Sequence, residues 1–162
     1  MAYADDLLEQ AEHLAKREKN KPRQASLRRA VSTAYYALFH LLIAEAALNW
    51  KQTHQRHLFA RSFEHARMKQ ASESLTKELS RHSEHSNPPG FAISQQLLEV
   101  ASSFVELQSK RHTADYDNAE IWTRTEALEQ VDAATRAFQS WKAIRNEPAA
   151  QDYLFSLMLK KR

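Results

Sequence analysis

One glycine, Gly90, and four prolines are the only strong helix breakers in a chain of 162 residues. Turns and hairpins depend on these two residue types, so their scarcity removes most of the punctuation that β-structure needs. Between them, apolar residues recur at intervals of three and four rather than two, the period of a helix with one buried face. The pattern predicts an all-α fold, an up-and-down helical bundle of four to five main helices over residues 1–145, with 146–162 as an amphipathic C-terminal tail or short helix. This length supports one core without staples. The absence of cysteine excludes disulfide frameworks, thiol nucleophiles and Cys-based zinc sites together.

The spacing predicts a first helix over 3–19, with Leu7, Ala11 and Leu14 on one side and Pro22 closing it. A second helix follows over 26–50, and a less amphipathic helical region over 54–79 with a break near 70–74. Paired prolines and Gly90 make 81–90 the clearest loop, expected to be mobile. A fourth helix carries the stripe Ile93, Leu97, Val100, Phe104 and Leu107 and ends near Arg111. The fifth begins at Thr123, which with Glu126 has the spacing of a capping box, and buries Leu128, Val131, Ala134, Phe138 and Trp141 before ending at 146–148. Trp50, Trp122 and Trp141 read as core or helix-end packing rather than base-stacking platforms.

Formal charge is only +3, but residues 16–29 hold seven basic side chains against Glu18 alone. That segment reads as a solvated interhelical loop, with a phosphate-facing patch as the sharper alternative. Lys160, Lys161 and Arg162 read as a frayed tail. The N-terminus lacks a basic n-region and an apolar h-region, so no signal peptide is expected, and no apolar run approaches the roughly 18 residues of a membrane span. A cytoplasmic protein with no membrane partner is the expectation. His54, His57, Arg61 and His65 look like one solvated helical face, and His82 and His85 sit in the loop. No metal or cofactor is expected, and one glycine cannot build a phosphate-cradling loop.

Two stretches carry functional information. In "RRAVSTAYYALFH", residues 28–40, helical spacing aligns Arg29, Thr33, Tyr36 and His40 as a polar stripe beside the apolar Ala30, Ala34, Leu38 and Leu41. Read from the residues alone, the stripe is either a site or a set of amphipathic side chains hydrogen-bonded to a neighbouring helix. In "KRHTADYD", residues 110–117, Arg111 and Asp115 have the spacing of an intrahelical ion pair.

Together these stretches resemble HEPN domains (higher eukaryotes and prokaryotes nucleotide-binding). "SLRRAVSTAYYALFHLLI" is similar to the family's second helix, with an arginine, a Ser/Thr, a Tyr-Tyr pair and a Phe-His, and "KRHTADYD" resembles an Arg-x-x-Ala-Asp-Tyr variant of its functional motif. The resemblance covers roughly residues 2–145. It implies a bundle that homodimerises so that two polar motifs share a cleft, and an RNA or nucleotide ligand. It further implies a toxin-antitoxin or defence setting, with a minimal nucleotidyltransferase as a candidate partner. It also implies metal-independent ribonuclease chemistry, in which Arg111 holds the scissile phosphate and a histidine assists attack by the ribose 2′-hydroxyl. The family places four to six residues between the arginine and that histidine, and at those positions this chain has Tyr116, Asp117 and Asn118. His40, or His112 from a partner protomer, is the candidate replacement. Asp115, Tyr116, Tyr36, Arg29 and Arg28 complete the expected ligand-binding set. The competing expectation is a non-catalytic helical interaction module in which the polar motif is structural.

Overall fold

The computed structural model describes residues 2–83 and 90–159, and all regular structure among them is helical. Seven α-helices follow in order among the described residues: α1 (Ala2–Ala15), α2 (Gln24–Ala47), α3 (Arg56–Ala60), α4 (His65–Ser83), α5 (Phe91–Tyr116), α6 (Arg124–Ile144) and α7 (Pro148–Ser156). Residues 84–89 and 160–162 are outside the described residues. The expected loop at 81–90, His85 and the tail cluster Lys160, Lys161 and Arg162 therefore fall wholly or partly there, as does the His82 side chain.

α2 is the central element and packs against α1, α3, α5, α6 and α7. Its buried Ala34, Leu38 and Leu41 share one core with the α5 stripe of Leu97, Val100, Phe104 and Leu107 and the α6 stripe of Val131, Ala134, Phe138 and Trp141, while Ala30 packs in a second cluster with Ala15, Ala114, Trp122 and Ala127. Side-chain pairings fix the sense of the helices. Arg28 reaches Ala114 while Tyr35 meets Phe104, so α2 and α5 run antiparallel. Gln24 bonds to Trp122 at one end of α2 and Glu45 to Arg145 at the other, so α2 and α6 run parallel. The capping box forms as expected, the Thr123 side chain accepting from the Glu126 N–H and the Glu126 carboxylate from the Thr123 N–H.

Three sequence expectations need correction. The break in the third helical region falls at residues 61–64, not 70–74; α4 is continuous through the latter, where the Ser72 and Thr76 hydroxyls bond to carbonyls one turn back on the helix itself. The turn at 61–64 instead buries Phe63. α5 does not end near Arg111 but runs on to Tyr116, so the whole polar motif lies on helix apart from Asp117, its C-cap. Finally, α2 is long and apolar enough to span a membrane by length and composition, with a window of mean hydropathy 1.3. That window is 78% buried within the bundle, as a central core helix requires.

The tail forms α7 and docks on α2 and α4 through Tyr153 and Leu154. Gly90, at φ 87°, starts α5 in the left-handed region, where glycine alone is unstrained.

Candidate functional site

The site forms where α2 and α5 cross the start of α4. On α2, Arg28, Ser32, Tyr35 and Phe39 lie at i, i+4, i+7 and i+11, so one stripe faces the motif on α5. This stripe is rotated by one residue, about 100°, from the one the sequence singled out. Tyr35 is fully buried, so its neighbours along that stripe face inward, while Thr33, Tyr36 and His40 are half-buried and Arg29 is exposed.

Arg111 is the centre. Its guanidinium carbon lies 5.1 Å from the Tyr35 ring centroid and 5.9 Å from that of Tyr36, within cation–π range of both. Its side chain is only 13% exposed, yet its closest carboxylate oxygen, on Asp115, is 3.7 Å away. Asp115 receives a long bond of 3.4 Å from the Ser32 hydroxyl. The Arg111 Nε is buried without a hydrogen-bond partner, as is the Oε1 of Gln108, one turn earlier on α5. A buried cation normally satisfies its donors, because desolvated and unpaired N–H groups are costly. Arg111 is thus held in place by rings but left short of acceptors.

Beside it stands His65, the first residue of α4. Its ring stacks on Phe39 at 4.2 Å between centroids, and its Nδ1 is 2.6 Å from the Tyr35 hydroxyl. Burial first, then the positive charge of Arg111, then His40, push the His65 pKa down, so the ring is neutral near pH 7. Burial pushes the Tyr35 phenol up despite the opposing pull of Arg111, so it stays protonated. A buried hydroxyl that donates leaves only a lone pair unused, the cheaper omission, so Tyr35 donates to Nδ1 and the imidazole carries its proton on Nε2.

The remaining expected residues are dispersed. His40 sits one ring beyond Tyr36, at 6.4 Å, and packs edge-on against Tyr3 at 4.9 Å; burial lowers its pKa. His112 is exposed beside Tyr116, 5.0 Å between rings, on a different face of α5 from Arg111. Tyr116 itself is 67% exposed. Arg28 commits its guanidinium to the carbonyls of Ala114, Asp117 and Glu120 at 3.0, 2.8 and 2.5 Å. It caps the C-terminal end of α5, where four carbonyls lack helical partners.

No family model, curated protein or solved structure matches the chain.

The residues that sequence reasoning missed are Tyr35, Ser32, Gln108 and His65. His65 had been placed with His54, His57 and Arg61 on one solvated face, which the fold corrects. His54 lies in a short 3-10 turn, His57 in α3 and Arg61 in the turn between helices, while His65 is half-buried against Phe39. The Tyr-Tyr pair was the available signal, since adjacent positions on a helix cannot both face solvent when one flanks a core stripe.

A cavity of about 480 Å³ between α4 and α7 shares no lining residue with this cluster. Its charged lining groups are Glu78 and Asp152, which repel a phosphate. Among the described residues no group of three or more His, Asp or Glu is arranged to hold a metal ion.

Proposed function

We propose that this chain is a HEPN-like RNA-binding domain. In this reading Arg111 takes a backbone phosphate and His65 supplies the histidine that its motif lacks, giving ribonuclease chemistry that needs no metal. The observation that carries the reading is the guanidinium of Arg111, mostly buried, pinned over two tyrosines, short of acceptors and adjacent to a neutral imidazole. A phosphate oxygen would satisfy the donors that Asp115 leaves unmet and would be stabilised as charge develops on it.

His65 would take the proton from the 2′-hydroxyl as its oxygen bonds to phosphorus and the bond to the 5′-oxygen breaks, the 5′-oxygen leaving with a proton from water. That step needs Nε2 free, so the imidazole would move from the Nε2–H tautomer of the resting site to the Nδ1–H one, with the Tyr35 hydroxyl turning from donor to acceptor at Nδ1. A second copy of the chain would bring two such motifs into one cleft, and a minimal nucleotidyltransferase is the expected partner in a toxin-antitoxin or defence setting in the cytoplasm. The Arg111–Asp115 pair favours the competing reading, a protein-interaction module whose polar motif is structural.

The test is RNA cleavage by purified protein in a chelator, compared with Arg111→Ala and His65→Ala. The expected result is cleavage by the wild type and loss in both variants. Cleavage by none of the three proteins, with no RNA binding by the wild type, would leave the structural reading in place.

A further inference from the structure

Beyond Arg111 the rings continue in a line. Tyr36, already against the guanidinium at 5.9 Å, is followed by His40 at 6.4 Å and by Tyr3 of α1 a further 4.9 Å out. Tyr36 and His40 are one turn apart on α2, so the series climbs the helix away from the motif. It also grades from interior to solvent: Tyr36 and His40 are half-buried, whereas Tyr3 is 61% exposed. The bundle core does not require an aromatic side chain at that outer position, because Tyr3 spends most of its surface in water. The T-shaped contact with His40 steadies the Tyr3 ring while most of it stays accessible.

A cation followed by a graded row of aromatic rings is the composition that receives single-stranded nucleic acid, with the phosphate on the cation and an unstacked base on a ring face. Each step of the row is longer than the roughly 3.4 Å rise of a stacked nucleotide, so Arg111 and Tyr3 would meet different nucleotides of one strand. Charge at the outer end agrees with a base rather than a backbone contact there. Asp6 is exposed one turn from Tyr3 on α1, and Asp5 beside it pairs with Lys142 at 3.8 Å, so the described residues of α1 around Tyr3 offer carboxylates and no lysine or arginine to a second phosphate.

We infer that Tyr3 is a base-stacking platform, reached from Arg111 by way of Tyr36 and His40, and that the ligand of this site is single-stranded RNA rather than duplex RNA or a lone nucleotide. The inference rests on the phosphate-binding reading of Arg111. Duplex RNA keeps its bases stacked on one another and has none to lend to Tyr3.

The experiment measures affinity, by fluorescence anisotropy, for a labelled single-stranded oligoribonucleotide, an abasic chain of the same length and a duplex of the same sequence. It uses the wild type, Tyr3→Ala, Tyr3→Phe and Arg111→Ala. Tyr3→Ala is expected to weaken the intact single strand about tenfold, the scale of one lost base stack, and to leave the abasic chain unchanged. Tyr3→Phe should retain wild-type affinity, which also controls for folding. Equal affinity of Tyr3→Ala and wild type for the intact strand, with Arg111→Ala still deficient, would overturn the platform and leave the phosphate site standing. Duplex binding as tight as single-strand binding would overturn the ligand assignment. Identical binding by wild type and Arg111→Ala would remove the phosphate reading and this inference with it.

Discussion

Arg28 and Arg111 bind the same helix pair at neighbouring levels, yet their guanidinium groups have opposite fates. Arg28, from α2, reaches across to α5 and gives its donors to three backbone carbonyls within 3.0 Å. Arg111, from α5, faces α2 and finds two aromatic rings, a carboxylate oxygen at 3.7 Å and nothing for its Nε. A saturated cation has completed its work within the fold, whereas an unsaturated one, held rigidly and nearly buried, retains the capacity to bind an anion. In sequence the two are indistinguishable arginines within polar motifs. Their roles separate only when each donor is accounted for.

The largest expected effect falls on the unsaturated arginine. Arg111→Ala should reduce metal-free RNA cleavage by about 10²–10³-fold, the scale for losing a donor that stabilises developing oxyanion charge. Single-turnover cleavage rates measure it, and urea unfolding should show a cost of only about 1 kcal/mol from the lost ring contacts. Arg28→Ala should reverse this profile. It frees carbonyls at the end of α5 and in the turn that follows it, and is expected to cost about 3 kcal/mol in urea unfolding, while phosphate affinity per folded molecule stays near wild type. Comparable losses of both kinds in both variants would erase the distinction between the two arginines.

Smaller effects sharpen the environment of Arg111. Tyr35→Phe removes the 2.6 Å hydrogen bond to His65 and should cost about 1 kcal/mol of stability. Because that bond favours the neutral imidazole, its loss should raise the His65 pKa, which an NMR titration of the ring would show. The pH dependence of stability is the smallest effect. The folded pKa values of His65 and His40 are depressed, so between the folded values and the ordinary value of about 6.5 the unfolded chain binds more protons. Stability is full above that ordinary value, falls as pH drops below it and levels off beneath the folded values. In His65→Gln the slope should shrink to the share of His40, read as melting temperature against pH.

The two halves of the site were unequally legible in the sequence. Arg111, Asp115 and Tyr36 could be found because one helix carries each motif and helical spacing alone puts partners on one face. The all-α class was legible for the same local reason. His65 was not, because its approach to Arg111 depends on a turn at 61–64 that contains neither glycine nor proline. Tyr35 was obscured by its neighbour: periodicity locates a stripe only to within one residue, and one residue on a helix is about 100° of rotation. Arg28 looked like a source of positive potential because carbonyl acceptors at a helix end leave no trace in residue types. α7 was partly legible, since its amphipathic pattern fits docking equally well against the bundle or a partner.

The contrast between the two arginines is tested most directly by the salt dependence of single-stranded RNA binding by wild type and Arg111→Ala. Each phosphate neutralised contributes to the slope of log K against log salt, so losing a phosphate contact should weaken binding and lower the slope by about one. A weaker Arg111→Ala complex with that smaller slope is the predicted result. Identical affinities and slopes, accompanied by a lowered melting temperature in the variant, would mean that Arg111 is as fully committed to the fold as Arg28.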